Sequence, residues 1–289
     1  MGRADLHLHT TASDGSCEPE EIPDLVRSHH LETLSITDHD TLSGYDRVAH
    51  LLGSDSDLTL IPGVEFTATV PGRQIHVLAY DFDPDSNRIR SLIRRQIDAR
   101  SNRMEEILGL LSKQGIEVTL EEVQAQARSR VVGRPHLAQA LVRKRVVATV
   151  GEAFMRHLSG QVIDSIKTDF VELEELTNCV AEAGGVTSLA HPGPLYDQNE
   201  VIEYMEVGLD GIEVIHPSHD FEQQKRFREL ARERRVLETG GSDFHGSSNT
   251  YAPWLGVVTI GSGHVASLRR LARQRKSWKK EKGGSHETS

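Results

Sequence analysis

Short apolar runs alternate with amphipathic stretches through the first 86 residues of the chain. The apolar runs at 4–10, 33–37, 58–66 and 74–80 predict strands, and Pro62-Gly63 is expected to break the third. Helical spacing at 18–29 and 45–52 predicts two helices, one in each gap between the first three strands. Strands that alternate with helices are typical of βα units around a parallel sheet, so we expect an α/β fold.

The pattern changes between residues 87 and 184 to almost uninterrupted helical periodicity. Apolar residues recur at helical spacing up to Leu111, and Gly115 is placed to end that helix. Thr119 and Glu122 have the spacing of a capping box, which predicts the start of a further helix. A helical insertion within an α/β domain is the simplest account of this change.

The βα rhythm returns after the insertion, and it defines the expected domain organisation. Further strands are predicted at 185–191, 211–216, 236–245 and 255–260. We therefore expect a barrel from residues 1–86 and 185–268, an inserted helical lid at 87–184, and a flexible basic tail at 269–289.

Composition indicates a globular protein, with 37% hydrophobic and 26% charged residues. No apolar run approaches the ~18 residues of a membrane span, and the N-terminus has no apolar signal core. The two cysteines show no CxxC spacing, so neither a disulfide framework nor a thiolate zinc site is indicated, and we expect a cytoplasmic location. No protein partner and no membrane contact is evident.

The net charge of −10 hides an asymmetry. Eight of the 33 basic and two of the 43 acidic residues lie in 269–289, which leaves a net charge of −16 on residues 1–268. A basic tail has two interpretations, a nucleic-acid-contacting arm or a solvated terminus that aids solubility, and we favour the second.

Polar residues on the first predicted strand point to metal chemistry. Asp5, His7 and His9 are two residues apart, so they share one face of a strand while Leu6 and Leu8 face the other way. Similar groups follow or end other predicted strands: His39, Glu65, His76, His191, Asp243 and His245. Imidazole and carboxylate donors without thiolates suit Zn, Mn or Fe, so their repetition at strand ends predicts a metal site.

Five motifs together resemble the PHP (polymerase and histidinol phosphatase) superfamily of metal-dependent phosphoesterases. They are ADLHLHTTASDG, ITDHDT, PGVEF, LAHPG and GSDFHG. The segments GRPHLA and GIEVIHPSH are similar to the branch that contains 3′,5′-nucleoside bisphosphate phosphatases and a 5′→3′ exoribonuclease. The resemblance runs from about Ala4 to Ile260 and implies a distorted (β/α)7 barrel with two to three divalent metal ions (Mn, Fe or Zn).

The resemblance also implies which residues bind the metals. The first metal is expected to take His7, His9, Glu65 and Asp243, and the second to share Glu65 and add His76 and His191. The third is expected to take Asp14, His39 and His245. Many family members have histidine where Asp14 stands, and a carboxylate there favours a harder ion such as Mn or Fe.

Substrate contacts are expected mainly from the insertion. The planar guanidinium of Arg134 suits phosphate oxygens, and Arg134 and His136 lie at a helix start whose positive end favours an anion. Glu213 faces inward by alternation with its neighbours, and His216 and His219 are candidates for contact with substrate or with metal ligands.

The resemblance implies hydrolysis of the 3′-phosphate of nucleoside 3′,5′-bisphosphates. A water shared by two metals and held through Glu65 would attack phosphorus, and His39 and His245 are candidates for protonating the leaving group. The alternative is a 5′→3′ exonuclease on short 5′-phosphorylated RNA or DNA. A histidinol-phosphate-type phosphatase and a noncatalytic metal-binding module rank below both.

Overall fold

One eight-stranded sheet organises the chain. The computed structural model describes residues 2–53, 56–160, 163, 166–193, 195–246 and 254–283. The strands are β1 Arg3–Leu8, β2 Thr33–Ile36, β3 Thr59–Val70, β4 Arg73–Tyr80, β5 Val186–Leu189, β6 Gly211–Ile215, β7 Leu237–Gly240 and β8 Ile260–Gly261.

Ten α-helices accompany the sheet in this part of the chain. They are α1 Ile22–Ser28, α2 Ser43–Leu52, α3 Asn87–Ser112, α4 Leu120–Gln124, α5 Arg134–Arg143, α6 Val150–Ala153, α7 Leu173–Glu182, α8 Gln198–Glu206, α9 Phe221–Arg234 and α10 Ser262–Gly283. A 3-10 turn at Pro19–Glu21 precedes α1, and a π-helical turn at Phe154–Leu158 follows α6. No helix of the described ranges is long and apolar enough to cross a membrane.

The sheet closes almost completely into a barrel. Its strand order is β7-β6-β5-β4-β3-β2-β1-β8. Leu8 at the end of β1 bridges Phe244 just beyond β7, and the His9 N–H donates to the Phe244 carbonyl at 2.8 Å. The β4 strand runs antiparallel to both β3 and β5, whereas β1–β2, β2–β3, β5–β6 and β6–β7 are parallel. The predicted distorted α/β barrel is therefore confirmed.

The third strand is longer than its sequence indicated. We expected Pro62-Gly63 to break it, but β3 continues through both residues to Val70. Gly63 passes so close to the Ser35 hydroxyl and the Ile36 carbonyl that a Cβ at this position would collide with them. A glycine thus permits a close strand approach here instead of interrupting the strand.

The insertion has its own apolar core. Residues of α3, of α5 and of the π-helical turn after α6 form a cluster distinct from the barrel core: Met104, Ile107, Leu111, Leu137, Leu141 and Leu158. The capping box at α4 is confirmed, since the Thr119 hydroxyl accepts from the Glu122 N–H and the Thr119 N–H donates to the Glu122 carboxylate. The α7 helix, by contrast, packs Leu176 into the barrel core.

The C-terminal segment differs from its prediction. Residues 254–258 form turns, and only Ile260–Gly261 is a strand, paired antiparallel with β1. The expected flexible tail is helical up to Gly283. Val265, Leu268 and Ala272 on α10 pack under the barrel, and Arg275 and Lys276 pair with Asp210 and Asp81. Burial of this apolar face of α10 accounts for the helix in the basic segment.

Candidate metal centre

Two histidines and two carboxylates converge at the end of β1. Because side chains alternate along a strand, His7 faces the barrel interior while Leu6 and Leu8 pack into apolar clusters. The Nε2 atom of His7 lies 3.4 Å from Glu65 Oε2 and 3.3 Å from Asp243 Oδ1. The corresponding distances from His9 Nε2 are 3.2 and 3.4 Å. Donor atoms on a tetrahedron around a metal ion are ~3.4 Å apart, so this spacing fits one ion among the four.

Glu65 joins this group to a second one. Its Oε2 atom lies 3.1 Å from His39 Nδ1, whereas its Oε1 atom lies 3.1 Å from His76 Nδ1 and 2.9 Å from His191 Nε2. The two oxygens of one carboxylate therefore face different sets of imidazoles. This is the arrangement that a bridging ligand between two metal ions requires.

A third group surrounds Asp14. Its Oδ1 atom lies 3.4 Å from His245 Nε2 and 3.7 Å from His9 Nδ1, and its Oδ2 atom lies 3.7 Å from His39 Nε2. The structure thus brings together all nine residues expected to bind metal, and His9 borders the third group as well as the first.

The donors fit divalent cations on two independent grounds. Four imidazole nitrogens, on His7, His9, His39 and His76, are buried with no hydrogen-bond partner among the described residues. Such atoms are rare unless an ion or water satisfies them. Burial alone would raise the pKa of Glu65, but His39, His76 and His7 hold it well below its usual range, so the carboxylate is ionised.

Two of the residues named as candidates for substrate contact, Glu213 and His216, contact expected metal ligands. Glu213 is fully buried, and its carboxylate accepts from His7 Nδ1 at 3.0 Å and from the His191 N–H at 2.7 Å. His216 Nε2 contacts Asp243 Oδ2 at 3.3 Å. Glu213 and His216 thereby orient two of the expected ligands, and the Glu213 carboxylate on Nδ1 of His7 leaves Nε2 as the nitrogen that would face a metal ion.

His219 holds a loop in place. Its Nδ1 atom donates to the Val214 carbonyl at 3.0 Å, and its Nε2 atom accepts from the Gly193 N–H at 2.9 Å. Burial lowers the pKa of His219 to about 4, so the ring is neutral and suited to both bonds. His219 therefore supports the loop that follows His191.

Several organising residues escaped the sequence analysis. Asp38 accepts from the N–H and hydroxyl of Thr10 and from the Ser13 hydroxyl, all within 2.7 Å, and so shapes the loop that carries Asp14.

Among the expected ligands, His191 and Asp243 have positive φ angles of 29° and 51°. Non-glycine residues persist in that region only where the surrounding structure enforces it.

A cavity of about 690 Å³ opens onto these ligands. Asp14, His39, His76 and His191 line one part of it. Residues of the insertion also line it and include three arginines, Arg100, Arg103 and Arg134, together with His136. Arg100 and Arg103 were missed because, at a spacing of three on an amphipathic helix, they are indistinguishable from solvated surface charges.

Comparison with known proteins agrees with this geometry. The model of the PHP domain family matches residues 5–172. A 5′-3′ exoribonuclease of Haemophilus influenzae is 30% identical over 246 residues, covering 83% of this chain and 89% of the relative. A phosphoribosyl 1,2-cyclic phosphate 1,2-diphosphodiesterase of Eggerthella lenta is 32% identical over 247 residues, covering 84% and 94%.

Two further matches extend over most of the chain. A 3′,5′-nucleoside bisphosphate phosphatase of Chromobacterium violaceum is 25% identical over 280 residues, covering 94% of this chain and 95% of the relative. A crystal structure from Bifidobacterium adolescentis, assigned as a metal-dependent phosphoesterase, has a TM-score of 0.81 at 32% identity and covers 93% of this chain and 96% of that one.

Proposed function

The chain belongs to the PHP domain family, and from this premise we propose that it removes the 3′-phosphate of nucleoside 3′,5′-bisphosphates to give 5′-nucleotide and phosphate. That it is a metal-dependent phosphoester hydrolase follows from the family and its relatives. The proposal concerns the substrate, the ligand set and the roles of individual residues.

One observation carries the proposal: a single cavity joins the Glu65-centred ligands to a wall of arginines. A substrate with two phosphate groups fits such a cavity, with one group at the ligands and the other at the guanidinium forks. Arg134 donates to the Leu158 carbonyl at 3.2 Å and stands over the Phe154 ring, which fixes its guanidinium at the cavity.

The protein's own groups prepare the reaction at the ligand end. Divalent metal ions bound there would activate a water for attack on phosphorus and neutralise charge on the phosphoryl oxygens. Glu65 presents one oxygen to each ligand group, while Glu213 holds His7 and His216 holds Asp243 in their orientations. His39 and His245 both remain candidates for protonating the leaving group, since each lies beside Asp14 near the ligand end of the cavity.

A 5′→3′ exonuclease on short 5′-phosphorylated oligonucleotides is the second candidate. The Haemophilus influenzae relative is named a 5′-3′ exoribonuclease, and it is more similar to this chain than the bisphosphate phosphatase is. The same arginine wall would hold a terminal 5′-phosphate and place the next phosphodiester at the ligands. A noncatalytic module fits poorly, because all nine predicted ligand positions carry competent donors that lie close together.

Parallel product analysis tests the proposal. Manganese-loaded protein is given adenosine 3′,5′-bisphosphate, 5′-AMP and a 5′-phosphorylated trinucleotide. We expect phosphate release from the bisphosphate, leaving 5′-AMP that is itself inert. Mononucleotide release from the trinucleotide at a higher kcat/KM would favour the exonuclease, and inertness toward all three would reject both.

Variants then separate binding from chemistry. We expect Arg134→Ala to raise KM for substrates with a 5′-phosphate and His9→Ala to abolish kcat. Equal effects of Arg134→Ala on substrates with and without that phosphate would contradict the phosphate-binding role of Arg134.

A further inference from the structure

His136 is not available as the second phosphate-binding group beside Arg134. Its Nδ1 atom accepts from the Gly133 N–H at 3.1 Å, and burial lowers the pKa of the ring. The side chain is 5% exposed. The ring thus caps α5 through Nδ1 and carries no positive charge, so a guanidinium elsewhere in the cavity is the better partner for Arg134 in binding a phosphate.

Arg100 on α3 has the required position. Its Nε atom donates to Asp40 Oδ2 at 2.5 Å, and its Nη2 atom donates to the Thr67 hydroxyl at 2.9 Å. The side chain is 13% exposed and lines the cavity. These two bonds fix the plane of the guanidinium and leave Nη1 with no acceptor among the residues that the structure describes.

The tip of Arg100 points toward the start of α5. A Cβ at Gly133 would lie 3.8 Å from Nη1, so the tip reaches the start of α5, one residue before Arg134. The positive charge of Arg100 also lowers the pKa of both His39 and His136, which line the same cavity. The guanidinium therefore reaches from α3 to the start of the helix that carries Arg134.

Asp40 is built to hold this guanidinium. It is fully buried, and besides Arg100 it accepts from the Thr67 N–H at 2.9 Å and the Gln96 amide at 3.0 Å. Its φ of 50° is unusual for a residue other than glycine. It directly follows His39, and Gln96 also accepts from the Val171 N–H. These hydrogen bonds therefore connect the loop that carries His39 to α3 at the start of the insertion and to Val171 near its end.

We propose that Arg100, positioned by Asp40, binds the non-reacting 5′-phosphate of the substrate together with Arg134 and so determines specificity for doubly phosphorylated nucleotides. This inference rests on the proposed function. A phosphomonoester at the 5′ end carries more charge than a backbone diester, so a pair of guanidinium groups selects chain ends and mononucleotides over internal positions.

Steady-state kinetics on two substrates test the assignment. Arg100→Gln is expected to raise KM for adenosine 3′,5′-bisphosphate by about 10- to 100-fold, the effect of losing a charged hydrogen bond, and to leave kcat and the constants for 3′-AMP nearly unchanged. Arg95→Gln is the matched control, since Arg95 lies on the same helix but pairs with Glu175 on the surface. A loss of kcat on both substrates would overturn the proposal, because it would place Arg100 at the reacting phosphate.

Asp40→Asn tests the positioning role. Asparagine tolerates the positive φ of this site and keeps one acceptor, so folding is expected to survive. We expect the same selective rise in KM for the bisphosphate, and the double variant with Arg100→Gln should be no worse than Arg100→Gln alone. Additive effects, or equal effects on both substrates, would overturn the link between Asp40 and Arg100.

Direct binding gives a readout that needs no turnover. Calorimetric titration of the manganese-loaded protein with 5′-AMP and with adenosine should show that Arg100→Gln weakens only the binding of 5′-AMP, again by about 10- to 100-fold. Wild-type protein that binds 5′-AMP no better than adenosine would overturn the phosphate site. Arg100-dependent 5′-AMP binding without phosphate release from the bisphosphate would support the site and reject the proposed reaction.

Discussion

Replacing Glu213 by glutamine should weaken metal binding although this residue lies behind the ligands. Its two oxygens accept from His7 Nδ1 at 3.0 Å and from the His191 N–H at 2.7 Å. Glutamine offers one oxygen and one NH2 group in the same place. If the oxygen stays with His191, the NH2 group faces Nδ1 and forces the ring proton of His7 onto Nε2. That atom faces Glu65 and Asp243, so a metal would lose a ligand.

The opposite amide orientation is no better. The NH2 group would then face the His191 N–H, and two donors would meet in a fully buried site. Loss of a carboxylate partner of a metal-binding histidine costs 10- to 100-fold in affinity, or ~1.4 to 2.7 kcal/mol.

The assay is competition for manganese against a chromophoric chelator at constant pH. Glu175→Gln is the matched control, because Glu175 pairs with Arg95 on the surface. We expect the Glu213→Gln variant to bind manganese at least tenfold more weakly and the control to match the wild type. Wild-type affinity in Glu213→Gln, with the fold intact by circular dichroism, would refute the role assigned to this carboxylate.

Three further predictions concern stability. Arg275→Gln removes a bidentate ion pair with Asp210, whose side chain is largely buried. Thermal unfolding should show that the unfolding free energy falls by about 2 kcal/mol while KM is unchanged. An unaltered Tm would contradict a role of this pair in holding α10 against the barrel. Asp220→Ala removes the N-cap of α9 and should lower the unfolding free energy by about 1 kcal/mol in urea titration, whereas no change would mean that water replaces the cap. Burial lowers the pKa of His219 from 6.5 to about 4, so the stability that its neutral ring contributes is present above pH 6.5 and is lost as the pH falls toward 4. Between pH 6.5 and 5 the unfolding free energy of His219→Asn should therefore fall by about 2 kcal/mol less than that of the wild type. An identical pH profile would contradict this role.

The clustering of histidines and carboxylates could be predicted from the sequence because the relevant signal is local. A period of two places His7 and His9 on one strand face, and short polar groups at strand ends converge wherever parallel strands share an edge. Histidine and carboxylate side chains at those positions therefore met in the structure as expected.

The parts that sequence could not supply depend on contacts between distant segments. Glu213 was recognised as inward-facing, but alternation cannot tell whether a carboxylate faces substrate or the back of His7, which is 206 residues away. Arg100 contacts Asp40 and Thr67 only because the insertion folds back over the barrel. Likewise, the charge of the C-terminal segment suggested a solvated tail, although Leu268 and its apolar neighbours bury one face of α10.

The measurement that tests the central claim most directly is anomalous diffraction from crystals of the manganese-loaded protein. The account predicts anomalous peaks within coordination distance of Glu65, flanked by His7, His9 and Asp243 on one side and by His76 and His191 on the other. Manganese bound elsewhere, or no peak within reach of Glu65, would contradict it.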